Sequence, residues 1–117
     1  MESAKKSAAG LANTLALHFP SFRDECRSPW PGRSSRKPLR FLKRAQIFAA
    51  DLWACFAGEG YGEFRDIGRL TMFADYRVPQ ALANMGCLYY SPSLDSAMRR
   101  GKLLENGESW EVQLRGL

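Results

Sequence analysis

A helical domain is the fold class this sequence predicts, on three observations. Apolar residues recur at helical spacing in two long segments, proline and glycine punctuate the ends of those segments, and a Ser-Pro pair opens a later one.

Ala8, Leu11, Ala12, Leu15 and Phe19 share one helical face, so residues 4–18 read as an amphipathic helix ended by Pro20, with Gly10 a mild weakness. Residues 21–25 follow as a short polar turn anchored by Phe22. Residues 26–38 form a basic loop rich in Pro, Ser and Gly. The strongest helical signal lies in residues 39–56, where Phe41, Ala45, Phe48, Leu52, Cys55 and Phe56 fall on one face. Its second half is apolar nearly all round, the pattern of a helix enclosed in a core. Asp51 within it requires a hydrogen bond or an ion pair if buried.

Gly58, Gly60 and Gly62 close that helix as a C-cap and turn. A phosphate-binding loop would need a strand before it. Residues 66–73 give a short helical turn, and residues 79–85 a helix stopped by Gly86. Ser91 and Pro92 are the N-cap and first position of a helix running to about Arg100, closed by Gly101. Helix, glycine turn and helix make a helix–hairpin–helix-like unit. Trp110, Val112 and Leu114 alternate with polar residues and read as a short extended segment. No internal repeat is present. The chain stops on an amphipathic segment, which reads as the end of a fragment or of a shortened gene model.

At 117 residues the chain is one domain at most. No window reaches the ~18 apolar residues a membrane span needs, and Asn13, Thr14 and His18 spoil a secretory signal. The expected compartment is the cytoplasm, with the nucleus as a second. Cys26, Cys55 and Cys87 lack metal-ligand spacing, so no metal is expected and buried or half-buried thiols are. His18, the lone histidine, reads as a helix C-terminal residue rather than a catalytic base. Charge is uneven: residues 1–50 carry a balance of +7 and residues 51–117 a balance of −2. Arg33, Arg36, Lys37, Arg40, Lys43 and Arg44 read either as a solvated loop or as a nucleic-acid contact.

The segment Thr71-Met72-Phe73-Ala74-Asp75-Tyr76-Arg77-Val78-Pro79-Gln80 is the most informative. Pro79 pushes Val78 toward extended backbone, so Asp75 sits on an irregular connection leading into a helix that starts near Pro79. A carboxylate on a stiff, aromatic-flanked turn suits catalysis or ligand orientation. On chemistry alone the plainer reading is an acid that pairs with Arg77 or caps the next helix.

That decapeptide does not stand alone. Phe19-Pro20-Ser21-Phe22-Arg23-Asp24-Glu25, Phe41-Leu42-Lys43-Arg44-Ala45-Gln46-Ile47, Ala50-Asp51-Leu52-Trp53 and residues 70–80, followed by Leu82, Gly86, Leu88, Tyr90-Ser91, Glu111-Val112 and Arg115-Gly116, resemble the queuosine salvage protein family in order and spacing. Members of that family are queuosine 5′-phosphate N-glycosylase/hydrolases, which release the base queuine for salvage into tRNA modification. The resemblance covers nearly the whole chain from about Leu11. The chain departs from the family in its longer, more basic stretch 26–38 and in its much shorter length.

The resemblance implies an all-α fold similar to the helix–hairpin–helix DNA glycosylases. It implies a small nucleotide as substrate, no cofactor, no membrane, and nucleic acid not as the direct substrate. It makes Asp75 the catalytic aspartate, which stabilises an oxocarbenium-like sugar, attacks it or orients water. Phe73 becomes the stacking platform for the base, with Tyr76 helping to exclude water. Lys43 and Arg44 are candidates for the 5′-phosphate, against a solvated positive pair. Asp66 is a weaker second acid, better read as the N-cap of residues 67–69. The competing readings are a basic helical nucleic-acid-binding module and an inactive fragment.

Overall fold

Ser7 opens the first helix by hydrogen bonding rather than by charge. In the computed structural model, which describes residues 6–28, 30 and 37–116, its hydroxyl accepts from the Gly10 amide at 2.9 Å and caps α1 (Ala8–His18). The Phe19 amide donates to Leu15 as α1 ends, and Pro20 then starts a 3-10 turn, Pro20–Phe22. Positions 4 and 5 of the expected first helix lie outside the described residues, as do residues 33–36 of the basic run. Next come β1 (Glu25–Cys26), β2 (Leu39–Arg40) and α2 (Lys43–Cys55), then 3-10 turns at Gly60–Gly62 and Ile67–Arg69. The chain finishes with α3 (Arg77–Asn84), α4 (Pro92–Arg99) and α5 (Ser109–Gly116). Among the described residues the one sheet is the two-stranded β1–β2 ladder, so the protein is mainly helical.

The chain divides into two compact units, Met1–Glu25 with Arg40–Phe73 and Cys26–Leu39 with Ala74–Leu117. In the first, α1 packs on α2 through small side chains. Ala8, Leu11, Ala49 and Phe64 form one buried cluster; Ala12, Ala16, Leu42 and Ala45 form another. Alanine at a helix contact lets two backbones approach closely.

That geometry changes the reading of α2. Only Ala45 and Ala49 are buried on it, whereas Phe48 and Trp53 stay 40% and 45% exposed, and Asp51 is exposed too. An all-round apolar sequence does not require enclosure here, because the close contact with α1 selects the two alanines. The larger rings flank that contact, where Phe48 meets Phe22 edge-on with centroids 6.1 Å apart.

The helix also starts later than its apolar pattern. Leu39–Arg40 pairs as β2, and Leu42 takes left-handed backbone (φ 49) at the N-cap of α2. A branched residue in that region costs about 1–2 kcal/mol. Two features offset it: Leu42 is buried, and Asp24 takes the Phe41 and Leu42 amides on its carbonyl and the Lys43 amide on Oδ2. The far end of α2 is closed by Ala57 and Gly58, both at positive φ, as the glycine cluster predicts.

In the second unit, Pro79 of α3, Leu94 and Ala97 of α4, and Val112 of α5 are buried. Ser91 caps α4 through the Leu94 amide at 3.4 Å, with Pro92 in the first turn. Seven residues, 85–91, join α3 to α4, and Gly86 at φ 74 turns the chain out of α3. The expected extended segment at 110–114 is instead α5. Helical pairs four residues apart override its alternation: Gln113 donates to Ser109 at 3.0 Å and Arg115 to Glu111 at 3.3 Å. The thiols differ from expectation as well. Cys26 is half-buried, but Cys55, the last residue of α2, and Cys87, three residues past α3, are exposed.

Candidate active site

Asp75 lies two residues before α3, and the start of that helix explains its orientation. The first three helical positions are Arg77, Val78 and Pro79. Asp75 Oδ1 accepts from the Arg77 amide at 2.9 Å and the Val78 amide at 3.2 Å, and Pro79 has no N–H to satisfy. The Asp-x-x-x-Pro spacing thus matches the donors of one helix start to one carboxylate oxygen. The capping expectation holds, and it fixes the carboxylate on a half-buried turn.

The residues on either side of Asp75 are held by α5. Arg115 Nε donates to the Ala74 carbonyl at 3.1 Å, and the Tyr76 hydroxyl donates to Glu111 Oε1 at 3.1 Å. Arg115 also meets Glu111 Oε1 at 3.3 Å, and the Gly107 amide donates to Oε2 at 2.9 Å. Glu111 is 1% exposed, yet every contact expected of a buried carboxylate is supplied: a cation, a hydroxyl and an amide. Tyr76 keeps its ring half-exposed while its hydroxyl is engaged.

Phe73 belongs to the first unit and is half-buried. Its segment is tied to α2 by Gln46. Gln46 Oε1 accepts from the Thr71 amide at 2.9 Å and the Thr71 hydroxyl at 3.2 Å, and its Nε2 donates to the Phe41 carbonyl. Lys43 and Arg44 lie on the first turn of α2, half-buried and exposed respectively, one turn before Gln46. Asp24 Oδ2 accepts the Lys43 amide at 3.2 Å, so a carboxylate already stands at this helix end. Any phosphate contact from this turn therefore rests on the side chains.

Asp66 does something else. It holds the N-cap position of the Ile67–Arg69 turn, but its side chain makes no cap bond there. Oδ1 accepts from the Ala8 amide at 2.6 Å, and Oδ2 accepts from the Ser7 hydroxyl at 2.7 Å and the Ala9 amide at 3.3 Å. Burial pushes this carboxyl up, but the Ser7 hydroxyl and the Ala8 and Ala9 amides outweigh it and hold it below its ordinary value.

A cavity of about 140 Å³ in the second unit is lined by Trp30, Tyr89, Tyr90 and Trp110 among others. Neither Asp75 nor Tyr76 lines it, and it is well below the roughly 300–1,000 Å³ of typical small-molecule sites.

Three residues that individual motifs do not single out thus support the turn segments: Glu111, Arg115 and Gln46. Their readable signal was the i, i+4 spacing of the acid and the arginine, and the place of all three in the motif series.

The family model described as queuosine salvage protein matches residues 1–117. The chain belongs to the queuosine salvage protein family. Three relatives, each named queuosine 5′-phosphate N-glycosylase/hydrolase, show how far the similarity extends. The protein of Nematostella vectensis is 44% identical over 113 residues, which are 97% of this chain and 31% of that protein. That of Schizosaccharomyces pombe is 41% identical over 116 residues, 99% of this chain and 32% of its own length. The bacterial protein of Sphaerobacter thermophilus is 41% identical over 113 residues, 97% and 33% respectively. This queuosine salvage family chain therefore spans about a third of the length of the curated relatives it matches.

Proposed function

We propose that the chain takes part in hydrolysis of the N-glycosidic bond of queuosine 5′-phosphate, releasing queuine, with Asp75 as the carboxylate at the reacting sugar. The observation that carries this reading is the fixed Asp75 turn in a member of the family whose relatives are named for that activity. In the reaction the bond from the sugar to the base nitrogen breaks, and its electron pair leaves with the base. Water adds its oxygen to the anomeric carbon, and one water proton ends on the departing nitrogen. The sugar is cationic at the transition state, so a pre-oriented carboxylate lowers its energy without reorganising.

Phe73 offers a ring for stacking on the base, the half-exposed Tyr76 ring limits access of bulk water beyond the one that reacts, and Lys43 and Arg44 supply charge for the 5′-phosphate. Position 7 of a 7-deazaguanine is carbon, so leaving-group help comes from hydrogen bonds to the other edges of the base. The same reading includes a helical scaffold of the DNA-glycosylase kind, a cytoplasmic location and delivery of queuine to tRNA modification. No helix among the described residues is long and apolar enough to cross a membrane.

The test is Asp75→Asn. Asparagine is as good a capping residue as aspartate and keeps an acceptor for the Arg77 and Val78 amides, so folding is preserved while the charge is lost. Queuine release from queuosine 5′-phosphate, followed by mass spectrometry, is expected to fall by several kcal/mol in barrier terms. Turnover equal to that of the unsubstituted chain would remove Asp75 from the mechanism.

A further inference from the structure

We infer that Glu111 and Arg115 are positioning residues that hold the Asp75 turn from both sides. The inference deepens the role proposed for Asp75 and rests on that reading for its catalytic half. Ala74 and Tyr76 are the two residues adjoining Asp75. Arg115 holds the carbonyl of one at 3.1 Å, Glu111 holds the hydroxyl of the other at 3.1 Å, and the two holders pair with each other at 3.3 Å.

Energetics favour a positional role over a stabilising one. A buried ion pair loses so much hydration that a well-packed apolar pair of similar volume is often as stable or more so. Here the acid is 1% exposed and the arginine side chain 8% exposed, so the desolvation penalty applies to both. An apolar pair cannot supply direction. Arg115 presents donors at fixed angles, Nε to Ala74 and a terminal nitrogen to Glu111, and Glu111 divides its oxygens between Tyr76 and the Gly107 amide. The pair therefore sets the backbone on both sides of the carboxylate, while the two α3 amides set the carboxylate itself. Catalysis by a fixed charge is sensitive to such placement: a displacement of about 1 Å can cost on the order of a hundredfold in rate.

Two conservative variants of the 117-residue chain test this. Tyr76→Phe removes the Glu111 arm and leaves the ring. Arg115→Lys keeps the positive charge but cannot reach Ala74 and Glu111 together. Arg99→Ala, an exposed side chain at the end of α4, serves as control. Hydrogen exchange without substrate reads the turn directly. Both test variants are expected to speed exchange at the Arg77 and Val78 amides about tenfold relative to the Ala97 amide in α4, and the control is not. In turnover, kcat is expected to fall about tenfold or more with KM nearly constant. Unchanged exchange at Arg77 and Val78, or acceleration equal to that at Ala97, would show that the pair serves only general stability and would overturn the inference. Exchange is independent of activity. Full turnover in Asp75→Asn would therefore sink the catalytic reading while leaving the positional claim to be judged on the amides.

Discussion

Asp66 Oδ1 accepts the Ala8 amide at 2.6 Å across 58 positions of sequence, so the first helix is capped by an acid that follows α2 in the chain. With Ser7 and both Asp66 oxygens in place, the Ala8, Ala9 and Gly10 amides all have acceptors. These are the first-turn donors that a helix cannot satisfy internally. Asp66→Ala is expected to lower stability by about 1–2 kcal/mol in urea denaturation. Ser7→Ala is expected to cost less, because Asp66 remains. Asp66→Asn is expected to leave turnover of the folded protein intact, since the side chain faces α1. A loss of turnover in Asp66→Asn at full stability would instead restore its candidacy as a second acid.

The same carboxylate gives a pH dependence with a definite sign. Its value in the folded chain lies below the ordinary 3.8. A depressed folded value means that stabilisation is fully present above the unfolded value and is lost as pH falls through the folded one. Glu63 follows the same direction through its exposed pairing with Lys6. The stability difference between the unsubstituted chain and Asp66→Asn is therefore expected to hold near neutral pH and to shrink below the unfolded value. A difference that grew on acidification would contradict the assignment.

Gly62 is constrained by space. A Cβ there would lie 2.6 Å from the Leu52 carbonyl oxygen and 2.8 Å from Phe56 Cβ, and carbonyl backbone has nowhere to retreat. Gly62→Ala is expected to cost about 1–3 kcal/mol, as overpacking does. Gly68→Ala, with nothing near its added carbon, is expected to be close to neutral. Thermal melts of the two variants make the comparison.

What was legible in the sequence was local. Ser91-Pro92 opens α4, Gly58 follows α2, and Asp75 caps a helix whose third residue is Pro79, all by rules spanning four residues or fewer. What was not legible depends on partners distant in sequence. Nothing near Ser7 announces Asp66, because α1 has no acid in its own first turn. Leu42 gives no sign of left-handed backbone, because the acceptor that holds it is Asp24. The alternation at 110–114 pointed to a strand, because Glu111 reads as a solvent-facing residue until Tyr76 and Arg115 are beside it. Gln46 likewise acquires meaning only through Thr71.

Lys43 and Arg44 give the last prediction, and it separates substrate contact from surface charge. The dipole end of α2 is already met by Asp24 through the Lys43 amide, so a phosphate gains little from the helix backbone there. If the two side chains meet the 5′-phosphate, Lys43→Ala with Arg44→Ala removes binding that only the nucleotide enjoys. KM for queuosine 5′-phosphate is then expected to rise on the order of tenfold to a hundredfold, while KM for the nucleoside and both kcat values stay nearly constant. The loss is also expected to shrink with added salt, because exposed charge contacts are screened over about 10 Å at 0.1 M. Equal changes on nucleotide and nucleoside would make the pair a solvated feature of α2, and the phosphate contact would have to be sought among other cations.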